Sequence, residues 1–340
     1  MKNMNLKKIT VHDVAKQAGV STATVSRVIN DNDAVSPELK AHVREVINEL
    51  GYRPNKAAHH LRSGKVKRVG VLFADIRNPF FTSVLAGIEN YLHEAGYALI
   101  LGNSNEDAKI ESMQLQAFLD EGVAGIILSS VTNSGTQYQQ VLDAGIPILA
   151  IDRIPRNLKV DSISIDNVRA AKQAALHLIN LGHEKIAFIG GPEHISTAYL
   201  RKKGYLEALE EHPDIKPVIE LGDFRQSGGY QATRNILAAH NDISAFLVAN
   251  NLMTLGALQA FNEKRILIPE QIALVGFDDM PWATSLQPPL TVVAQPTYDM
   301  GKIAARLLLD RIKNPDSPIQ QVTLETELII RESCGGLRSA

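Results

Sequence analysis

From about residue 66 onward the chain alternates short apolar runs with stretches whose apolar residues recur three to four positions apart. The runs include Arg68–Ala74 (RVGVLFA), Tyr97–Gly102 (YALILG), Gly125–Ser130 (GIILSS), Pro147–Asp152 (PILAID), Lys185–Gly191 (KIAFIGG), Phe246–Asn250 (FLVAN), Ile272–Asp278 (IALVGFD) and Thr291–Gln295 (TVVAQ). Segments such as Phe81–Ala95 and Asn167–Leu181 carry the helical spacing between them. A strand apolar on both faces must be covered on both faces. Alternation with amphipathic helices therefore predicts parallel sheets sandwiched by helices. Ligands of such sheets sit beyond the C-terminal ends of the strands. That draws attention to Asp152, Asn250 and Asp278, where apolar runs end on a polar side chain.

The first 60 or so residues obey a different rule. They are helical in pattern and contain no β-run. Val11–Ala18 reads as a short helix, Gly19 permits a tight turn, and Ser21 is a good N-cap for a second helix over Thr22–Asn30. A third helix is expected over about Ser36–Leu50. Two short helices joined through glycine form a helix-turn-helix, whose second helix enters the major groove of DNA. Thr22, Ala23 and Arg27 share its exposed face, while Val25 and Val28 point inward. Arg27 suits guanine O6/N7, and the methyl groups of Thr22 and Ala23 suit thymine. Thr10, Ser21, Thr24, Ser26 and Asn30 are short hydrogen bonders fitted to phosphates.

Charge separates the same two regions. Residues 1–68 hold 13 Lys/Arg against 6 Asp/Glu, a net +7, and the remainder holds 22 against 31, a net −9. A basic head on an acidic body predicts that only the head meets a polyanion. The single cysteine, Cys334, cannot form an internal disulfide and reads as an inert tail thiol in a reducing compartment. No signal segment or long apolar run is visible, so a cytoplasmic protein with no membrane contact is expected.

Ile9–Asn30 (ITVHDVAKQAGVSTATVSRVIN) resembles the head of the lac-repressor (LacI/GalR) family almost residue for residue, and 51–64 (GYRPNKAAHHLRSG) resembles its hinge. The resemblance covers essentially the whole chain. It implies a hinge helix that folds only when two chains meet on operator DNA. Leu61 would wedge into the minor groove, with Asn55, Ala58 and Arg62 on or near the duplex. His59 and His60 depart from the residues usual there.

The body resembles periplasmic sugar-binding proteins, most closely those for ribose. That resemblance assigns effector contacts to Asn78, Phe80, Phe81, Asp152, Arg153, Arg201, Phe224, Asn250, Asp278 and Gln295. Ser130 stands where an asparagine is usual, so a weakened or water-mediated contact is expected there. The chemistry is sound on its own terms. Carboxylates accept from sugar hydroxyls, guanidiniums donate, amides do both, and aromatic rings cover C–H faces. YDMGKIAARLLL at 298–309 and GPEHISTAYLR at 191–201 point to the ribose-responsive branch of the family.

The sequence thus predicts an all-α helix-turn-helix head (1–53), a hinge (54–65), and a periplasmic-binding-protein-like α/β body (66–340). The body would have one lobe over about 66–163 and 296–325 and another over about 166–293 and 327–340, with parallel sheets in both. A homodimer would bind a near-palindromic operator and release it on binding a small sugar, D-ribose first. The same architecture accommodates another sugar, a sugar phosphate or a purine corepressor, and also control by a phosphorylated carrier protein. No cofactor or metal site is expected. An enzyme is disfavoured because no P-loop, H-E-x-x-H, G-x-S-x-G or G-x-G-x-x-G occurs.

Overall fold

The computed structural model describes residues 11–29, 35–50 and 67–336. The chain divides into two compact units, residues 1–66 and 67–340.

The first unit contains helices α1 (Val11–Gln17), α2 (Thr22–Ile29) and α3 (Pro37–Glu49). Gly19 takes φ +67°, the left-handed turn between α1 and α2. Ser21 Oγ accepts from the Thr24 amide at 3.1 Å, and Ser36 Oγ from the Leu39 amide at 3.3 Å, so hydroxyls cap α2 and α3. The core is small and valine-rich: Val14, Val25, Val28, Val35, Val43 and Val46 are buried together with Ala15 and Ala18.

The second unit carries two six-stranded sheets. In chain order its elements are β1 (Arg68–Phe73), α4 (Pro79–Glu94), β2 (Ala98–Asn103), α5 (Ala108–Asp120), β3 (Gly125–Leu128), α6 (Gln139–Asp143), β4 (Ile148–Ile151) and β5 (Asp161–Ile165). Then come α7 (Asn167–Asn180), β6 (Ile186–Gly190), α8 (Ser196–Glu210), β7 (Val218–Leu221), α9 (Gln226–Ala239), β8 (Ala245–Val248), α10 (Asn251–Glu263) and β9 (Ala273–Phe277). The unit closes with β10 (Thr291–Ala294), α11 (Thr297–Lys313), β11 (Gln321–Leu324) and β12 (Glu327–Ile329).

The first sheet has the order β11-β5-β4-β3-β1-β2 and is parallel throughout. The second has the order β12-β10-β9-β8-β6-β7, with only β12 antiparallel. The chain passes from the first sheet to the second after β5, returns between β10 and α11, and leaves again between β11 and β12. Two lobes result, with three connecting strands between them.

Each lobe is braced by helix pairs that approach to backbone contact. A Cβ on Gly301 of α11 would stand 2.0 Å from the Val84 carbonyl of α4, and one on Gly87 of α4 would stand 2.1 Å from the Tyr298 carbonyl. Gly204 of α8 sits likewise against Val168 O of α7, and Gly229 and Gly256 do the same between α9 and α10. Only glycine admits these approaches. Among the described residues no helix is long and apolar enough to cross a membrane.

Candidate effector pocket and DNA-reading helix

The C-terminal ends of the strands of both sheets face one cleft. Asn78, Phe80, Phe81, Asp152 and Arg153 come from the first lobe, and Arg201, Phe224, Asn250 and Asp278 from the second. Gln295 lies on a connection, and these ten, with Thr197, line a cavity of about 30 Å³. Thr197, one turn before Arg201 on α8, escaped the sequence reading. Ser130 stands apart from these eleven. It is buried, its hydroxyl packs between Tyr138 Oη and Thr132 O, and it does not line the cavity. Tyr138 in turn donates to the buried Glu111 carboxylate at 2.7 Å. Ser130 thus fastens the loop after β3 to α5, which uses the hydroxyl that a ligand contact would need.

Several side chains are fixed by capping before any ligand is considered. Asn78 Oδ1 accepts from the Phe80 amide at 2.9 Å and caps α4. Asn250 Oδ1 accepts from the Met253 amide at 2.9 Å and caps α10, while its Nδ2 donates to Phe224 O at 3.0 Å. Phe73 and Phe81 stack with ring centroids 5.0 Å apart, and Phe80 meets Phe81 edge-on at 5.1 Å. Asp152, Phe224 and Asp278 all take left-handed backbone conformations, φ 62°, 63° and 72°. Such values are uncommon without glycine and cost about 1–3 kcal/mol each. Three of them in one pocket mark where the fold tolerates strain to aim side chains.

The electrostatics are dominated by burial. Asp152 is pushed up to about 6, because desolvation outweighs the attraction of Arg153 and Arg201. Asp278 is also raised by burial, opposed by Arg201 and by a 2.6 Å hydrogen bond from Gln295 Nε2. Burial lowers Arg201, whose Nε donates to Asn167 Oδ1 at 2.7 Å and whose Nη1 donates to Ala249 O at 2.6 Å. For Arg153 burial acts downward, but the Glu106 carboxylate reverses it and the guanidinium is raised. Glu106 was not read from the sequence, although it follows the end of β2 and the strand-end rule would have found it. Two buried polar atoms of the lining have no partner: Arg153 Nε, a donor, and Gln295 Oε1, an acceptor.

The cleft is spanned by contacts between the lobes. Asn251 Nδ2 donates to Asn78 Oδ1 at 2.8 Å, and Arg225 Nη2 to Asn105 O at 3.1 Å. The Arg153 guanidinium lies 5.2 Å from the Phe224 ring centre, and that of Arg156 lies 5.5 Å from Tyr199. Cys334 is no loose tail thiol. It is buried, 3.3 Å from His177 Nε2, and accepts from Thr291 Oγ1 at 3.1 Å.

On α2, Val25 and Val28 are buried, Ala23 and Arg27 are exposed and Thr22 is half-buried. Ser21 and Thr24 hold each other at 3.0 Å between hydroxyls. Ser26 lies on the same helix. Thr10, Asn30, Asn55, Ala58, Leu61 and Arg62 lie outside the described residues.

A helix-turn-helix unit joined to a two-lobed sensor, with a buried polar pocket at the strand ends, defines the class of ligand-responsive DNA-binding regulators. Comparison with known proteins narrows the class. Residues 10–55 match the model for bacterial regulatory proteins of the lacI family, and residues 175–334 match a periplasmic binding protein-like domain. The ribose operon repressor of Halalkalibacterium halodurans is 34% identical over 327 residues, 96% of this chain and 97% of its own. The lac repressor dimer bound to operator and the anti-inducer ONPF is similar at a TM-score of 0.85 and 27% identity, covering 96% of this chain and 99% of that one. A LacI family transcriptional regulator from Enterococcus faecium with bound ribose gives a TM-score of 0.73 at 28% identity, over 78% of this chain and 99% of that one. The chain belongs to the LacI family: it is a transcriptional repressor, not an enzyme.

Proposed function

We propose that the chain represses a sugar-utilisation operon as a cytoplasmic homodimer and leaves its operator when the pocket binds a small uncharged sugar, D-ribose first. The observation that carries this reading is the pair of unpartnered buried atoms, Arg153 Nε and Gln295 Oε1, beside the buried carboxylates of Asp152 and Asp278. A hydroxyl both donates and accepts, so three sugar hydroxyls supply the protons that Gln295 Oε1, Asp152 and Asp278 accept, and one of their oxygens accepts from Arg153 Nε. A buried unpaired donor or acceptor costs about 1–3 kcal/mol, which a matching ligand recovers and a mismatched one does not.

Phe80, Phe81 and Phe224 line a cavity of about 30 Å³, so the lobes must part to admit ribose. A relative carrying ribose and another named for the ribose operon favour the same ligand.

In the mechanism, each α2 reads one operator half-site through Thr22, Ala23 and Arg27, while Ser21, Thr24 and Ser26, with Thr10 and Asn30, touch phosphates. Leu61, with Asn55, Ala58 and Arg62, holds the operator centre. Sugar must bind the DNA-incompetent arrangement more tightly for release to follow. Calorimetric titration with D-ribose, xylose, arabinose, galactose and a purine tests the effector. One-site binding of ribose with release of operator DNA supports the reading. Binding of a different member of the panel moves the effector. Silence with all of them turns attention to a phosphorylated carrier protein.

A further inference from the structure

Arg153 is already engaged within its own lobe. Its Nη1 donates to Glu106 Oε2 at 2.7 Å and its Nη2 to Glu106 Oε1 at 2.8 Å, a two-point fork that uses both terminal nitrogens. Its Nε stands 3.8 Å from Asp152 Oδ2. The loop that presents Glu106 is itself constrained. Asn105 and Glu106 take consecutive left-handed conformations, φ 52° and 61°, the Glu106 amide donates to Ala74 O at 2.8 Å, and Arg225 of the other lobe holds Asn105 O. Two successive non-glycine residues in that region persist only where the surroundings hold them. The side chains of Arg153 and Glu106 are only 7% and 17% exposed.

The pocket and its rim therefore hold three carboxylates, Glu106, Asp152 and Asp278, against two guanidiniums, Arg153 and Arg201. Its formal charge is −1. The guanidinium best placed to fork a phosphate is taken, and Arg201 is turned to Asn167 and Ala249. A neutral sugar meets this charge at little cost. A phosphate ester adds about −1.5 to −2 charges to a desolvated, net-negative site.

We propose that Glu106 is a specificity-determining positioning residue: by occupying Arg153 it makes the pocket select uncharged sugars and exclude their phosphate esters. This rests on the sugar reading of the pocket and adds its charge rule. Removing one negative charge this close to a ligand anion is worth roughly a tenfold to hundredfold change in its affinity. The test titrates the full-length protein, Glu106→Gln and Glu106→Asp with D-ribose, D-ribose 5-phosphate and inorganic phosphate, by calorimetry and thermal shift. The expected result is that the native protein binds ribose and neither anion. Glu106→Gln gains at least tenfold for the ester relative to ribose and acquires a phosphate-dependent thermal shift, whereas Glu106→Asp keeps the exclusion. Equal binding of ester and ribose by the native protein overturns the proposal. So does loss of ribose binding in Glu106→Gln with no anion gained, which marks a merely structural role, or the absence of any anion gain while ribose still binds. Failure of ribose alone, with the phosphate gain of Glu106→Gln intact, removes the assigned effector and leaves the role of Glu106 standing.

Discussion

Asp278→Ala separates sensing from DNA binding. Asp278 is 3% exposed, accepts from Gln295 Nε2 at 2.6 Å and from the Asn251 amide at 3.4 Å, and sits after β9 in a left-handed conformation. In the proposed sugar complex its carboxylate would accept from two hydroxyls, and hydrogen bonds to a charged group contribute about 1.5–3 kcal/mol each. Two such bonds lost come to about 3–6 kcal/mol, or roughly a hundredfold to ten-thousandfold weaker effector. Folding should change little, because removing a carboxylate whose ionised form burial disfavours compensates the lost hydrogen bond from Gln295. The variant should bind operator like the native protein and hold it at sugar concentrations that release the native protein. Fluorescence anisotropy on labelled operator with increasing ribose, beside calorimetry of the protein alone, measures both. A normal ribose isotherm for Asp278→Ala would refute the placement of the effector. Loss of operator affinity without sugar would refute the division of labour between head and body. Asp278→Asn keeps volume and one acceptor and should fall between the two.

Arg27→Ala, on the exposed face of α2, should cost about 1–3 kcal/mol at one base position per half-site. Competition with single-base operator variants reads this directly, and a uniform loss across all operators would make Arg27 a phosphate contact. Effector affinity should fall with pH. Asp152 is raised to about 6, so below that value a proton must leave before sugar binds, weakening affinity by about tenfold per pH unit. A flat profile from pH 8 to 5 would contradict this. The same raised value gives stability that is present below about 4 and lost as pH rises through about 6, so Asp152→Asn should raise the ligand-free melting temperature at pH 7.5. Gly301→Ala places a Cβ 2.0 Å from Val84 O. It should destabilise the body by about 1–3 kcal/mol, a fall of several degrees by calorimetry.

The apolar runs were legible because burial on both faces leaves no room for polar residues, and β1, β3, β4, β6, β9 and β10 all fall within them. β5 was harder. DSISI reads as half polar, yet it is central, because the Arg311 guanidinium, 150 positions away, pairs with Asp161 at 2.8 Å and 2.9 Å. β11 and β12 are short and largely exposed, and neither has a pattern separable from a loop. The glycines of α4, α8 and α11 look like flaws in their helices until the partner helix is in place.

The pocket divides along the same line between local and distant causes. Asp152, Asn250 and Asp278 stand out because a strand end followed by a polar side chain is a local feature. The partner of Ser130 was not legible, because Tyr138 is itself held by Glu111 from a preceding helix. Glu106 follows the end of β2 and was within reach of the same local rule, but its fork with Arg153 and the Asn78–Asn251 bond depend on loops and lobes meeting, which no window of sequence contains. The left-handed conformations at Asp152, Phe224 and Asp278 carry the point furthest. Phenylalanine carries no signal for φ near 60° and aspartate only a weak one. They persist because the sheets fix the strand ends and the caps fix the helix starts. These residues of the candidate pocket are thus held by the whole fold in conformations that their own sequence disfavours.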